Sequence, residues 1–433
     1  MRNVLRVALL SLPLALRAQP QPAPAAVLSI NLADALTRAR NYNAQFLAAG
    51  IAASLAREDK VQAKAALFPT VEAVNGYLYT QGNGTPNGVF VNNNGVHVYD
   101  EQAAVHADVF SFAKQAAYRQ AMAGEAAARA RQDVAARGLG ATVIGSYFGL
   151  VSAQRHVVNA RRSLDEARNF EDITQKQEQG GEAAHADVIK AQFQRNQRER
   201  ELAEALTNVE KARLALAVLI FEDLNQSFTV DENLQPDTPV AMPPEILQQA
   251  VASSPDIHAA QSAIEQAGFG VKAARAGFLP TFSVDYFYGI DANQFAVRDP
   301  EGHRNLGNVV QGTVTVPVWN WGATRSRVRQ AELQQQQARL DLRFAQRQID
   351  ANTSAFYLEA QAARSQIQGL RASADLAEES LRLTLLQYQA GEATALEVVT
   401  SQSTAADARN AYDDGLARYR LALGSIELLT GRY

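Results

Sequence analysis

The chain has 433 residues, with 41 basic and 45 acidic side chains, a formal net charge of −4 and no cysteine. Such balanced charge argues against a nucleic-acid-binding surface. The lack of cysteine excludes disulfides, thiolate metal sites, a cysteine nucleophile and a lipid-modified N-terminal cysteine, so any attachment to a membrane must come from the fold itself.

Residues 1–25 are typical of a secretory signal peptide followed by a Pro/Ala-rich leader. Basic residues at Arg2 and Arg6 precede an apolar run from Val7 to Leu16. The alternative, an N-terminal anchor, needs roughly 20 apolar residues, and this run is shorter. We expect no other stretch to be long and apolar enough for a transmembrane helix, so the exported chain has no helical route into a membrane.

Two halves with the same order of elements follow the leader. The first half, residues 26–220, is predicted to contain, in order, helix 31–66 with Asn31 as N-cap, strand 71–80, loop 81–94, strand 99–110, helix 113–179 and helix 183–219. A linker with four prolines is predicted over residues 221–244. The second half, residues 245–433, repeats the order with a helical segment 245–278 capped internally at Ser254, a strand from Thr281 to Ile290, loop 291–308, a return strand up to Val318, and two long helices.

The stretch from Tyr388 to Val399 is predicted to be the tip of a long helical hairpin. Gly391 is expected in the left-handed conformation after the first helix, and Thr394 with Glu397 forms a capping box for the second. The helix upstream carries a coiled-coil stripe that consists of Leu370, Ala374, Ala377, Leu381, Thr384 and Tyr388.

The same tip occurs at Gly181, 210 positions before Gly391. Aromatic pairs also correspond, Phe110 and Phe112 in the first half and Trp319 and Trp321 in the second, at an offset of 209. A nearly constant offset over most of the chain indicates a tandem duplication.

The four predicted strands of about ten residues have the length that crosses an outer-membrane bilayer when tilted. Four strands cannot close a barrel, and an open sheet edge cannot face lipid. Two copies would give eight strands, whose interior is filled by side chains, whereas three copies give twelve and leave a lumen. The strand count therefore predicts a homotrimer.

Three motifs mark this order: the duplicated strand starts Phe68-Pro69-Thr70 and Leu279-Pro280-Thr281, the Pro317–Gly322 exit from the second strand pair, and the two glycine tips. Together they resemble the TolC-like outer-membrane efflux protein family over essentially the whole mature chain. The first half has 108–113 at the exit, without the proline and glycine, so its exit turn is less typical. The resemblance implies a mainly α fold with a membrane β-barrel, in which a trimer forms a 12-strand β-barrel on an α-helical barrel.

The resemblance also implies a function. The trimer would lie in the outer membrane of a Gram-negative-type cell, extend into the periplasm, and passively export substrates delivered by an inner-membrane transporter and a periplasmic adaptor. It implies neither catalysis nor a cofactor. A periplasmic coiled-coil adaptor or structural component of an export system is the alternative, and the duplicated strand pairs argue against it.

In this family, acidic residues after the tip often ring the periplasmic mouth, and Asp187 and Glu397 stand there. Local capping is the competing role for Glu397. Tyr388 is either a gating residue or a packed member of the coiled-coil stripe. At the family's second acidic position this chain has Thr400, and Lys190 in the first half. Where the family often has a basic residue after the tip glycine, this chain has Ala393. These differences predict a weaker or differently bonded constriction.

The tip residues Gly181, Glu182, Gly391 and Glu392 are expected to dock the adaptor. Phe110, Phe112, Trp319 and Trp321 form either an interfacial aromatic belt or packing at the strand-to-helix junction. The six histidines lack ligand spacing, so we expect no metal site. The sequence shows no catalytic constellation either, and the chain is not expected to be an enzyme.

Overall fold

The computed structural model describes residues 28–79, 97–231, 234 and 243–432. The parts of the sequence interpretation that lie outside the described residues are the signal peptide and leader (1–25), the loop 81–94, and Pro236 and Pro239 of the linker.

Eight helices and six strands make up the described chain. The helices are α1 (Leu32–Tyr42), α2 (Ala44–Ala65), α3 (Phe112–Gln179), α4 (His185–Ile220), α5 (Pro243–Ala252), α6 (Pro255–Ala276), α7 (Ala323–Gln389) and α8 (Ala395–Leu429). The strands are β1 (Leu28–Ile30), β2 (Thr70–Tyr79), β3 (His97–Phe110), β4 (Phe228–Val230), β5 (Thr281–Ala292) and β6 (Leu306–Thr315).

Two of the helices are very long and form the antiparallel hairpins that the sequence predicts. Helix α3 has 68 residues and α7 has 67, so each extends about 100 Å at 1.5 Å per residue. Each pairs with the helix that follows its tip, α3 with α4 and α7 with α8. On α7, Ala374, Ala377 and Tyr388 of the predicted stripe are buried, which confirms the coiled-coil face.

The predicted helix 31–66 is wrong in one respect, because it is two helices. Asn43 has extended backbone angles and its side chain accepts a hydrogen bond from the amide of Phe46 at 3.0 Å. An asparagine oxygen that caps a new helix competes with continuation of the old one, which the apolar pattern alone did not show. Asn31 caps α1 as predicted, and Ser254 caps α6.

The four long strands form one antiparallel sheet in the order β2-β3-β5-β6. Register places Val105 and Val310 beside Tyr286 on one face, and His106 and Gln311 beside Asp285 on the other. One face is therefore apolar and the other polar, as the alternation predicts. The edges of the sheet are β2 and β6.

The return strand is shorter than predicted. Strand β6 ends at Thr315, so Val316 and Val318 lie beyond it. Pro317 has no amide hydrogen to continue the strand ladder, and this explains why the alternating valines continue beyond the end of the strand.

The helices continue the order of the strands. Next to the sheet, α2 packs on α3, α3 on α6, and α6 on α7, so the order α2-α3-α6-α7 repeats β2-β3-β5-β6. Towards the tips the contacts are α4 with α3, α3 with α8, and α8 with α7. Helix α7 therefore lies at one edge of the helices along its whole length. The other edge is formed by α2 next to the sheet and by α4 towards the tips.

The main core surrounds the middle of α3. Apolar side chains of α3 from Leu139 to Val151 pack against Ile30, Leu36 and Ile220. Contrary to our expectation, this helix contains a stretch long and apolar enough to cross a membrane, the only one among the described helices, but 44% of that stretch is buried within the chain. Its hydropathy is accounted for by the core.

The segment predicted as a linker, 221–244, contains more structure than expected. Strand β4 within it pairs in parallel with β1, and α5 begins at Pro243. Tyr147 of α3 fixes this ribbon, because its hydroxyl accepts a hydrogen bond from the amide of Asp231 at 3.1 Å and lies 3.3 Å from the carbonyl oxygen of Ile30.

We expect Tyr147→Phe to lower the free energy of unfolding by about 1–2 kcal/mol, since the backbone groups of the ribbon lose a buried partner. Burial raises the pKa of Tyr147 to about 12. The unfolded phenol ionises first, so this group's contribution to stability is complete below about pH 10 and is lost as the pH rises towards 12. The variant should therefore lose less stability than wild type between about pH 10 and pH 12, as measured by chemical denaturation followed by circular dichroism. Tyr42→Phe, at an exposed position, is the control, and an equal effect there would contradict the role of the ribbon.

Candidate functional site: the hairpin tips and the seam between the hairpins

The two tips have the same backbone geometry. The glycine has a positive φ in each, +77° at Gly181 and +78° at Gly391. The amide of the next residue, Glu182 or Glu392, donates at 2.8 Å to the carbonyl oxygen five positions earlier. This pattern closes a helix end around a left-handed residue, so the predicted glycine conformations are confirmed. Both glutamates are exposed on the outside of the turn.

The two predicted mouth carboxylates have different local bonds. Glu397 completes the predicted capping box, since its Oε2 accepts from the Thr394 amide at 2.6 Å and its own amide donates to the Thr394 hydroxyl at 3.3 Å. The hydrogen bond from the Thr394 amide, and then that from its hydroxyl, lower the pKa of Glu397. Asp187 lies in the first turn of α4, where the N-cap Ala184 offers no side-chain bond, and pairs with Lys190 at 3.0 Å. Both carboxylates therefore stand at helix starts beside the tips.

Tyr388 is buried at the point where all four long helices meet. It is 5% exposed, and its ring lies 5.2 Å from that of Phe170 in an edge-on contact. Ala191 of α4 and Val398 of α8 complete this cluster. Its hydroxyl has no hydrogen-bond partner among the described residues. Packing of Tyr388 within the coiled-coil stripe is thus observed, whereas a gating hydrogen bond stays a prediction.

Between the two hairpins, α3 and α8 meet through a polar seam. Asp414 accepts from Ser152 at 2.8 Å and pairs with His156 at 2.9 Å. Further towards the tips, Arg409 holds both oxygens of Glu166 at 2.8 and 2.9 Å. Other side chains continue the seam: Asn159 to Asn410 and Asp413, Gln402 to the carbonyl of Glu166, and Arg198 to Ser403.

Sequence reasoning missed this seam. The only available signal was that polar residues at Ser152, His156 and Asn159 recur at helical spacing, and this pattern is also typical of a solvated face. The structure raises the pKa of His156, chiefly through its hydrogen bond to Asp414, and the same bond lowers the pKa of that aspartate.

The four aromatic residues of the predicted belt are all more than half exposed within the chain: Phe110, Phe112, Trp319 and Trp321. The two tryptophan rings contact each other edge-on at 5.8 Å. Trp321 itself has a φ of +55° beside Gly322 at +82°, so the exit turn holds two consecutive left-handed residues. Packing within one chain does not bury these rings, and a role at a membrane interface stays a prediction.

A group that the sequence reasoning overlooked lies in the turn between β5 and β6. Asp299, Glu301 and His303 have potential ligand atoms within 4.8 Å of one another. The amide of His303 donates to the Asp299 carboxylate at 2.7 Å, and the imidazole Nδ1 lies 2.8 Å from its other oxygen. These bonds close the turn around Gly302, whose φ is +90°, so turn formation explains why the side chains converge.

Comparison with known proteins decides the family. The profile described as outer membrane efflux protein matches residues 35–220 and 246–432, one match in each half of the chain. The chain belongs to this family. Its relatives include the cobalt-zinc-cadmium resistance protein CzcC of Cupriavidus metallidurans, 27% identical over 67% of this chain and 67% of that protein, and the outer membrane protein TolC of Vibrio cholerae, 23% identical over 96% and 94%.

Solved structures show the same fold. A membrane protein from Pseudomonas aeruginosa superposes with a TM-score of 0.82, at 19% identity over 92% of this chain and 93% of that one. The outer membrane protein VceC of Vibrio cholerae gives 0.81, at 18% identity over 92% and 96%. As a member of the outer membrane efflux protein family, the protein is an outer-membrane channel of Gram-negative bacteria and not an enzyme.

We expect His156→Gln to remove part of the pH dependence of thermal stability. Because the pKa of His156 is raised on folding, its contribution is complete at low pH and is lost as the pH rises through the folded pKa, above the usual value near 6.5. Both partners are more than one-third exposed, so solvent screening limits the effect to about 1 kcal/mol or less. Thermal melts at pH 6 and pH 8.5 test this, with His258→Gln, an exposed histidine, as the control. Equal changes in both variants would contradict a specific contribution of the seam.

Proposed function

We propose that this protein is a homotrimeric duct that passively conducts substrates across the outer membrane. The observation that carries the proposal is the pair of matching edges. The sheet ends at β2 and β6, and the helical layer beneath it ends at α2 and α7, so each edge strand stands beside an edge helix of the same half of the chain.

An open sheet edge cannot face lipid, because its unpaired amides and carbonyls would be desolvated. Pairing β6 of one copy with β2 of the next satisfies both edges with a single head-to-tail contact, which closes into a ring. With four long strands per chain, three copies give twelve strands, and a barrel of this size keeps a lumen. The polar face with Asp285 would line this lumen, and the tyrosine-rich face would meet lipid.

The same contact would bury exposed apolar side chains on the edge helices. On α2 these are Leu47, Ile51, Leu55 and Val61. On α7 they are Leu333, Leu340, Phe344, Leu358, Leu376, Leu383 and Leu386. A monomer rarely leaves so long an apolar stripe in water, so a neighbouring copy is the occupant that fits both edges at once.

The tips would be the end that docks partners and gates the duct. Gly181, Glu182, Gly391 and Glu392 form two exposed turns of identical geometry, suited to repeated contacts with a periplasmic adaptor that also binds an inner-membrane transporter. Asp187, Glu397 and Tyr388 would form the periplasmic mouth. Relatives named for metal resistance and for alkaline protease secretion span different cargoes, and the adaptor and pump would decide which cargo enters.

The alternative of a periplasmic adaptor has no support from the sheet. An adaptor in solution needs no amphipathic strands of this length, and the family is one of outer-membrane channels.

Introducing a negative charge at each edge should prevent assembly. We expect Ile51→Asp combined with Leu340→Asp to convert the detergent-solubilised trimer to monomer, since a carboxylate buried in the contact costs several kcal/mol. Size-exclusion chromatography with light scattering measures the mass. Val158→Asp is the control, because Val158 is exposed on α3, which is not an edge helix but lies between α2 and α6. A trimer that survives the double change, or a wild-type chain that is monomeric, would refute the proposed edge contact.

The mouth carboxylates can be tested without breaking the caps. In Asp187→Asn with Glu397→Gln the amides keep hydrogen-bonding capacity but lose the charge, so the cation-to-anion permeability ratio in planar bilayers should fall by about twofold or more. The control carries Asp165→Asn with Glu210→Gln, at exposed positions away from the tips. An unchanged ratio in the test variant would remove both residues from the mouth.

A further inference from the structure

A pocket of about 360 Å³ lies between α3 and α6, where the helices meet the sheet, and we call it the junction pocket. Its lining combines apolar and cationic side chains. Those that matter for its chemistry are Phe112 and Arg119 of α3, Phe269, Lys272 and Arg275 of α6, and Leu279 just before β5. Among the residues that the structure describes, no acidic side chain lines this pocket.

Two of the cationic side chains in the junction pocket are not neutralised. Arg275 is paired with Glu332 of α7 at 2.8 Å, so its charge is balanced. Arg119 and Lys272 make no ion pair with any residue in the described part of the chain. The Nζ of Lys272 lies 4.9 Å from the ring centroid of Phe269, a contact that positions the ammonium group and leaves its charge in place. The junction pocket therefore has a net positive charge.

The end of strand β3 shows which side of α3 continues each face of the sheet. Asp108 lies opposite Ser283 on the polar face, and after a bulge Phe110 lies opposite Phe282 on the apolar face. Lys114, in the first turn of α3, pairs with Asp108 at 2.5 Å. The side of α3 that carries Lys114 therefore continues the polar face of the sheet.

The junction pocket lies on the opposite side of α3, below the apolar face. With about 100° of rotation per residue, Phe112 and Arg119 are turned by about 160° and 140° from Lys114. In the proposed duct the apolar face of the sheet meets lipid. The junction pocket then opens towards the membrane side of the wall and away from the bore, a step that rests on the proposed function.

In the proposed duct, the cationic groups lie at the level of the lipid headgroups on the periplasmic side. Phe112 and Leu279 stand at the lower end of the sheet, next to β3 and β5. Arg119 follows Phe112 by seven residues and Lys272 precedes Leu279 by seven, which places each cation on the order of 10 Å below the sheet. The polar layer of a bilayer extends roughly 5–8 Å beyond the hydrocarbon. Long cationic side chains reach into such a layer.

We propose that the junction pocket binds the phosphate headgroup of an anionic phospholipid, of the phosphatidylglycerol type, in the periplasmic leaflet of the outer membrane. The guanidinium of Arg119 can donate two parallel hydrogen bonds to phosphate oxygens, and Lys272 adds a second positive charge. Phe112 and Leu279, which are 52% and 42% exposed, offer apolar surface to the acyl chains. A zwitterionic lipid brings its own ammonium group, which would meet two cations and no carboxylate. The junction pocket therefore selects by charge, as basic pockets between membrane-embedded helices do.

The two tryptophans of the chain are the probe for the test. Trp319 and Trp321 lie between β6 and α7, at the level at which Leu279 lies between α6 and β5. The full-length protein is reconstituted in phosphatidylcholine vesicles with a rising fraction of phosphatidylglycerol whose acyl chains are brominated, because bromine quenches the fluorescence of nearby tryptophan. Brominated phosphatidylcholine is the reference. We expect wild type to prefer phosphatidylglycerol by about fivefold or more, since each cationic group near a membrane surface contributes about that factor.

Arg119→Gln with Lys272→Gln should reduce this preference to about twofold or less. Both side chains are exposed, so folding is preserved, and the trimer mass in detergent verifies this. Inorganic phosphate is added to a second set of wild-type samples, with chloride at the same ionic strength as the reference. If phosphate abolishes the preference and chloride does not, the pocket binds free phosphate, and the assignment to lipid is wrong.

The matched control is Arg161→Gln with Lys211→Gln, which removes one exposed arginine and one exposed lysine from α3 and α4, far from the sheet. A preference for phosphatidylglycerol that falls equally in both double variants, or in neither, overturns the site. Conductance in planar bilayers is recorded for the same samples. If wild type forms a conducting trimer without this preference, only this inference fails. If wild type forms no trimer, the duct fails, and the membrane-facing position of the pocket fails with it.

Discussion

The structure depends on one constraint, which is that backbone amides and carbonyls cannot be left unpaired in a membrane. Strands β2 and β6 have a partner on one side only. Every other feature is consistent with meeting this demand from outside the chain. The strands have bilayer-crossing length, the two faces of the sheet differ in polarity, and the helices continue the strand order so that edge elements coincide over the whole length of the protein. In the proposed homotrimer, one contact type between copies is therefore sufficient for the sheet and the helices together.

The helices are held together by two kinds of contact, apolar packing and a polar seam. Within the hairpins, and again at the cluster around Tyr388 and Phe170, apolar side chains make contacts that do not depend on pH or salt. Between the hairpins, α3 and α8 meet through hydrogen bonds and the Arg409–Glu166 ion pair. Polar contacts of this kind exchange for water at small net cost, so the apolar contacts between α3 and α8 in the main core and at the tip cluster are the ones that hold the hairpins together.

Most of the fold was predictable because it follows from periodicity and from a few special residues. The hairpin tips were located by Gly181 and Gly391, and the sheet faces by alternation around Tyr286. What could not be predicted involves partners distant in sequence. The β1–β4 ribbon is two three-residue strands, too short to give a pattern, and Asn43 breaks a helix through one side-chain bond. The seam needed the alignment of α3 against α8, which no local pattern contains.

The junctions between sheet and helices differ in length, and this has a mechanical consequence. A single residue, Ser111, separates β3 from α3, whereas residues 316–322 separate β6 from α7. Torsion of α3 about its axis is therefore delivered directly to the sheet. Helix α7 is joined to its strand by seven residues, which include the left-handed pair Trp321 and Gly322. In the proposed duct, rotation of the second hairpin would therefore disturb the barrel wall less than rotation of the first.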